Sequence, residues 1–499
     1  MRQRHLLRRR AEACVVALAA LCTTQLAVGP ATATTAAPGP ALPLTQTKTW
    51  ITDAQGRVVI LHGLNQVFKM APYEPAADGF GANDATFLQA NGFDAVRVGV
   101  IWSAVEPRPG SYDDGYLDSI AATVGVLRAH GIVSLLDFHQ DLFNEKFQGE
   151  GAPAWAVQDN GLPNPPLGFP GNYFANPAEN ASWDAFWNNA PAADGIGLQD
   201  HYARAWAHVA ARFHNSPSVL GYEVMNEPWP GTVWQPCLVP LVGCPIFDAT
   251  LTAFYKRVIP AIRTADPAKT IWYEPAVLFN EGIATNVAGS ADSHTGFAFH
   301  DYCGVESEAQ NNTTCPQEDS LTFGNGTNYS RQHGIPQLVT EYGATNDLSN
   351  LQSVMALADQ NKVGWLEWAY TGGDITSSAP DAQALVLDPS KAPVGSNVLS
   401  AKLHVLAEVY PKVIAGTPTS WSFANGIFSL QYSTVRASGS GTYPAGSETD
   451  IAVPAIQFPH GYHVIASGAT TASSAGSATL RLLSKAGAAT VTVTVSPGG

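Results

Sequence analysis

From about residue 46 to residue 410 the chain alternates short apolar runs with longer stretches of helical period. Eight runs read as strands: Val58–His62, Ala95–Gly99, Ile132–Asp137, Leu220–Met225, Thr270–Tyr273, Gly296–Phe299, Gln337–Val339 and Val363–Glu367. Tyr116–His130, Leu198–Phe213 and Phe247–Asp266 read as helices between them. This alternation predicts a parallel sheet with helices outside it, an α/β fold. Eight units predict a closed (β/α)8 TIM barrel over residues 46–412. Beyond about Gly416 the helical period stops, and strings such as Ala478–Leu482 and Thr490–Val495 alternate instead. Residues 416–499 are therefore expected to form a small antiparallel β-sandwich domain.

Each apolar run of the barrel ends in a residue able to touch a substrate. These are Asn65, Arg97, His139, Asn226 with Glu227, Glu274, His300 with Tyr302, Glu341 and Trp368. A barrel gathers its active site at the carboxyl ends of its strands, so the pattern predicts that these side chains share one face. Two connections, Leu142–Gly197 and Pro228–Pro245, far exceed a simple turn, and long ordered loops are usually functional. They are expected to wall a pocket.

Composition narrows the partner. Charged residues make up 13% of the chain and the formal net charge is −15, whereas a nucleic-acid binder needs a Lys/Arg surface. A neutral substrate fits better, and 12 Trp, 16 Tyr and 20 Phe supply faces on which sugar rings stack. Arg2, Arg4, Arg8, Arg9 and Arg10 precede an apolar run from Cys14 to about Val28 and then Ala31-Thr32-Ala33. That is the pattern of a secretory signal peptide over residues 1–33, followed by a flexible leader over 34–45. A lipoprotein anchored at Cys22 is disfavoured by the bulky Leu21 before it. After cleavage Cys237, Cys244, Cys303 and Cys315 remain, and an even count in an exported chain suggests disulfides. The local pairs Cys237–Cys244 and Cys303–Cys315 are the simplest. A zinc site lacks both a C-x2-C pair and an H-E-x-x-H motif.

Gly221–Trp229 (GYEVMNEPW) and Val339–Gly343 (VTEYG) each place a Glu just past a strand. Retaining hydrolysis of a glycosidic bond needs one protonated and one ionised carboxyl, about 5–5.5 Å apart. Strands four and seven face each other across a barrel mouth, which allows that distance. Glu227 is expected to be the acid/base, beside an Asn226 that can bind the sugar's 2-hydroxyl, and Glu341 the nucleophile. Arg97 is expected to lower the pKa of Glu341, and Tyr302 to donate a hydrogen bond to it.

On these segments the chain resembles glycoside hydrolase family 5. Arg97, His139 in Asp137–Asp141 (DFHQD), Asn226-Glu227-Pro228, His300-Asp301-Tyr302, Thr340–Gly343 (TEYG) and Trp368 carry the likeness. It implies a retaining double displacement without metal or organic cofactor. Asn65–Tyr73, Phe147–Trp155, Phe169–Pro177 leading to Phe186-Trp187, and Gly364–Trp368 are similar to the endoglycoceramidases of that family, which release the glycan from a glycosphingolipid. The resemblance implies sugar contacts from Lys69, Asp137 and His139. It also implies an apolar groove for ceramide, for which Phe143, Trp155, Phe169, Phe174, Trp229 and Trp234 are candidates, and peripheral contact with a lipid surface. Asp137 and His139 also have D-x-H metal spacing, but lack an evident third ligand. A secreted monomer is expected. The rival readings are an endoglucanase or mannanase acting on polysaccharide, and a non-catalytic carbohydrate- or lipid-binding protein.

Overall fold

The computed structural model describes residues 39–239, 242–304, 313–372 and 380–498. The expected signal peptide and the first part of the leader lie outside them. Three short strands open the described chain: β1 (Thr45–Thr47), β2 (Trp50–Thr52) and β3 (Val58–Val59). The next eight close into a barrel: β4 (His62–Gln66), β5 (Ala95–Ile101), β6 (Val133–His139), β7 (Val219–Glu223), β8 (Thr270–Tyr273), β9 (Thr295–Asp301), β10 (Gln337–Tyr342) and β11 (Gly364–Glu367). Every neighbouring pair is parallel, and β11 pairs with β4 to complete the ring. The helices Asp114–Ala129, Leu198–Phe213 and Pro245–Ala265 stand where the apolar period placed them. No helix of the described residues is long and apolar enough to cross a membrane.

The run Val58–His62 behaves differently from expectation. It does not form the first barrel strand, which starts at His62. Instead Val59 and Val58 pair antiparallel with Val413 and Ile414 of β12 (Tyr410–Ile414). The run serves two cores by alternation. Val58 and Ile60 pack into the sandwich, while Val59 and Leu61 join Ala95, Val133 and Leu338 towards the amino ends of the barrel strands. Four apolar residues in a row, Val58–Leu61, cannot reveal such a handover, because each face of the strand is buried.

Seven further strands follow β12: β13 (Thr417–Ala424), β14 (Ile427–Ser433), β15 (Glu448–Ala452), β16 (Tyr462–Ser467), β17 (Ala469–Thr471), β18 (Thr479–Ser484) and β19 (Thr490–Pro497). They form two antiparallel sheets, ordered β1-β2-β3-β12-β15-β18-β17 and β13-β14-β19-β16. Phe428, Leu430, Tyr432, Val491 and Val493 of one sheet meet Ile451, Leu480 and Leu482 of the other in one core. The larger sheet thus recruits β1–β3 from residues assigned above to the leader and the barrel. Trp421 of β13 donates its indole N–H to Asp359 on the helix Leu348–Asn361, and Tyr410 donates to the carbonyl of Gly92 at 2.8 Å. The sandwich is bonded to the barrel rather than tethered to it.

Candidate active site

The centre of the site is a single guanidinium. Arg97, on β5, is fully buried. Its Nε donates to Glu223 at 2.5 Å, and Nη1 to Glu341 and to Asn65 at 3.1 Å. Nη2 donates to Asn226 at 2.8 Å and also lies 3.0 Å from Asp137 and 3.5 Å from Glu274. Burial alone would lower its pKa, but the surrounding carboxylates outweigh burial and raise it well above the ordinary value. Five strands thereby send a polar side chain to one cation, which fixes the carboxyl ends of those strands relative to each other.

Glu341 reaches this cluster because of a bulge. Its predecessor Val339 points outward, into the layer between strands and helices. Strict alternation would send Glu341 the same way. The pairing of β10 with β9 slips between Val339 and Glu341, so that Glu341 lies opposite His300, and a bulge of this kind re-aims a side chain. Glu341 then accepts from Arg97 and, at 3.0 Å, from the Tyr302 hydroxyl. Burial raises the pKa of Tyr302, as does the charge of Glu341, so the phenol keeps its proton and donates.

Glu227 sits on a left-handed backbone, φ 44°, a conformation that costs a residue with a β-carbon about 1–2 kcal/mol. Side chains clamp it: its N–H donates to Glu274 at 3.1 Å, and Gln140 donates to its carbonyl at 3.1 Å. The carboxyl is bonded to Asn280 (2.8 Å) and His300 Nδ1 (2.9 Å). One carboxyl oxygen of Glu227, one of Glu341 and a ring nitrogen of His300 all lie within 4.8 Å of one another.

The two carboxyls have unlike surroundings. Burial, then the charge of Asp141, pushes Glu227 up to about 7. Burial raises Glu341 as well, and His300 and Arg97 pull it back only in part, so the expected net lowering by Arg97 does not occur. His300 is pushed down to about 4 by burial and is neutral. His139 is the opposite case: burial would lower it, but its bonds to Asp137 and Asp141 raise it to about 10, so it is a cation.

Both Glu227 and Glu341 line a cavity of about 470 Å³, together with Lys69, His139, Tyr302 and Trp368. Trp368 stacks on His139 with centroids 5.2 Å apart, lies 4.4 Å from Lys69 Nζ, and is oriented by Gln383, which accepts its indole N–H at 2.9 Å. Arg97, Asp137, Asn226 and His300 lie behind this lining. Asp137 in particular is sealed between Arg97 and His139 and supports the site rather than facing the cavity. Asp141 faces it instead, bonded to Lys69. Asp141 and Glu150 also stand 3.6 and 3.8 Å from His139 Nε2, supplying the further carboxylates that the D-x-H spacing lacked. The ammonium of Lys69 already occupies the cationic place beside Asp141.

The opposite wall is apolar. Phe169, Tyr173, Phe174 and Trp229 pack in sequence along it, joined by Leu238, Val277, Leu278 and Ile283. Helix Pro177–Trp187 anchors the long loop that carries this wall; Asn176 caps it, accepting from the N–H groups of Ala178 and Glu179. Trp234 packs behind Phe174, while Phe143 and Trp155 are turned into the core beside Trp183 and Trp102. Cys237–Cys244 and Cys303–Cys315 are bonded as the local pairing predicts.

Comparison with known proteins identifies the family. The model for Cellulase (glycosyl hydrolase family 5) matches residues 53–374, and that for the family 5 C-terminal domain matches residues 409–495. The chain belongs to glycoside hydrolase family 5. This family 5 hydrolase is 33% identical over 483 residues to Endoglycoceramidase I of Rhodococcus hoagii, covering 92% of the chain and 90% of that protein. Its fold is similar to that of endo-glycoceramidase II from Rhodococcus sp. (TM-score 0.73, 29% identity, 90% of this chain and 100% of that one). A ganglioside GM3 complex of the same Rhodococcus enzyme also aligns, with a TM-score of 0.73 at 26% identity over 91% of this chain and 100% of that one.

Sequence reasoning missed Glu223 and Asn280, and left Glu274 and Asp141 without a role. Glu223 is hidden in an otherwise apolar strand, and Asn280 lies on the irregular turn Val277–Glu281. Asp141 stood inside the DFHQD segment, where its position two residues past His139 was the available signal.

Proposed function

We propose that this hydrolase is a secreted, retaining β-glycosidase that cleaves the bond between glycan and ceramide in glycosphingolipids. The observation that carries the reading is one cavity with a carboxyl pair and Trp368 at its polar side and an aromatic wall beginning two residues after Glu227. A sugar fits the first, and two hydrocarbon chains need the second. The names of the relatives point the same way.

In the first step a carboxylate oxygen of Glu341 bonds to the anomeric carbon, while Glu227 gives its proton to the departing ceramide oxygen. In the second, Glu227 takes a proton from water, whose oxygen attacks the same carbon and releases Glu341. The carboxyl spacing leaves no room for a water on the far side of the sugar, which favours retention over inversion. Lys69, Asp141 and His139 are placed to bond the hydroxyls of the first sugar, with Trp368 beneath its ring. Arg97, Asp137, Asn226 and His300 hold the reacting pair. Phe174 and Leu238 line the cavity and remain 40% and 46% exposed, an apolar rim suited to a lipid surface. The two disulfides accord with export.

An endoglucanase would require hydrogen-bonding side chains for sugar hydroxyls on both sides of the carboxyl pair, whereas Phe169, Phe174, Leu238, Val277, Leu278 and Ile283 of the wall carry none. A non-catalytic binder has no use for two carboxyls held in unlike environments. Incubation with ganglioside GM3 and with carboxymethylcellulose, read by mass spectrometry, separates these readings; glucan fragments without free ceramide would refute the lipid one. Glu341→Ala is expected to lose activity by several orders of magnitude, with azide restoring turnover to an inverted glycosyl azide.

A further inference from the structure

We infer that Glu274 is a positioning residue which, as a neutral carboxylic acid, holds His300 in a single tautomer and fixes the backbone of Glu227. The inference rests on the acid/base role proposed for Glu227. Glu274 follows β8, is 2% exposed and does not line the cavity, so it acts through its neighbours. Its backbone is tied down by Tyr255, whose hydroxyl donates to the Glu274 carbonyl at 2.6 Å. One carboxyl oxygen, Oε2, accepts the N–H of Glu227 at 3.1 Å. The other, Oε1, lies 3.5 Å from His300 Nε2 and 3.5 Å from Arg97 Nη2.

The proton positions follow from Glu227. Its Oε1 already accepts from Asn280 at 2.8 Å and faces His300 Nδ1 at 2.9 Å. An acid/base needs its own proton on the other oxygen, towards the leaving group. Oε1 is then an acceptor, and His300 Nδ1 must carry the hydrogen. The imidazole is neutral, so Nε2 is a bare lone pair. An ionised carboxylate opposite it would set lone pair against lone pair in a buried site, whereas a carboxylic acid donates. The charge balance agrees. Arg97 meets Glu341, Glu223 at 2.5 Å and Asp137 at 3.0 Å but Glu274 only at 3.5 Å, and the cationic His139 is spent on Asp137 and Asp141, so an ionised Glu274 would have only a distant, shared counter-charge. Burial and the charge of Glu223 also raise the pKa of Glu274 well above the ordinary value. One carboxyl thus secures two properties of the acid/base: the left-handed backbone that aims it, and the imidazole that holds its spectator oxygen.

The test compares Glu274→Ala and Glu274→Gln in the full chain, with kcat/KM on aryl β-lactosides of differing leaving group. A good leaving group such as 2,4-dinitrophenol needs no acid; an unactivated phenol does. Glu274→Ala is expected to lose about 100-fold on the phenyl lactoside, the low end of what general-acid assistance supplies, and only a few-fold on the dinitrophenyl one. Glu274→Gln, a neutral isostere whose carbonyl accepts and whose amide donates, is expected to rescue most of that loss and to keep the basic limb of the pH profile. An equal loss on both substrates would reduce Glu274 to fold support. Glu274→Gln as impaired as Glu274→Ala would mean an ionised Glu274 and overturn the inference. Should Glu274→Ala not fold, the glutamine variant's pH profile decides alone. Failure of the wild type to release the β-anomer first, by NMR, would instead sink the double displacement itself.

Discussion

The aromatic wall makes a quantitative claim. Phe174, on the short helix Gly171–Ala175, stands edge-on to Trp229 (5.2 Å) and Trp234 (5.1 Å) and is 40% exposed. A phenylalanine presents about 200 Å² in all, so about 80 Å² of it is free for a bound lipid to cover. At about 25 cal/mol per Å² that cover contributes at most about 2 kcal/mol, or roughly 30-fold in kcat/KM. Phe174→Ala is therefore expected to lower kcat/KM for GM3 in detergent micelles by roughly 10- to 30-fold, since the newly bared faces of Trp229 and Trp234 recover part of the contact. On an aryl β-lactoside, which has no ceramide, the variant should match the wild type. Initial rates on the two substrates, with a melting curve to confirm folding, complete the assay. An equal fall on both substrates would show that the ring only supports the loop. No fall on either would show that the lipid lies elsewhere.

Three further outcomes follow from the charges. The kcat/KM profile should fall above about pH 7, where Glu227 loses its proton, and fall again on the acid side where Glu341 gains one; a flat profile from mild acid to mild alkali would contradict the assignment. Asp359 and Glu367 are raised to about 7, and Asp94 and Asp450 to about 6, each chiefly by burial. A carboxyl raised on folding adds stability that is complete below its unfolded pKa and lost as pH climbs through the folded value. His139, raised to about 10, acts in the same sense, whereas the lowered His62 and His300 destabilise the fold only as pH drops below the ordinary histidine value. Thermal melts should therefore show a higher Tm near pH 6 than near pH 8, and the reverse order would refute this accounting. Arg97→Lys keeps the charge but cannot span Glu223, Glu341 and Asn226 at once; a loss of about 3–5 kcal/mol in chemical denaturation is expected, as for a broken buried pair.

Much of this architecture was legible in the chain. The barrel followed from strand–helix alternation, and the carboxyl pair from what stands at the ends of β7 and β10. What stayed hidden has physical causes. Val58–His62 is apolar on both faces, so its division between two cores left no trace in periodicity. The bulge before Glu341 is a property of pairing, and only the paired strand shows that Glu341 turns inward where alternation would turn it out. Asp137 and Asp141 flank His139 with equal spacing, and the strand's direction decides that one is sealed under Arg97 while the other meets the cavity. Arg97 does lower Glu341, but the net shift stays upward for a related reason. That guanidinium is shared among several carboxyls, and full burial costs the anion more than its share of the cation returns.

The pairing of β3 with β12 ties the beginning of the described chain to its final domain. During synthesis β1–β3 emerge early, yet their partner strand is translated some 350 residues later. Until then they present a bare sheet edge that nothing in the barrel covers, an invitation to mispairing while the nascent chain waits. Excision of the barrel at the Gly416 junction would keep β12 on β3 but permanently bare the edge of β12 that pairs with β15. A shortened protein would be expected to aggregate before it lost its chemistry.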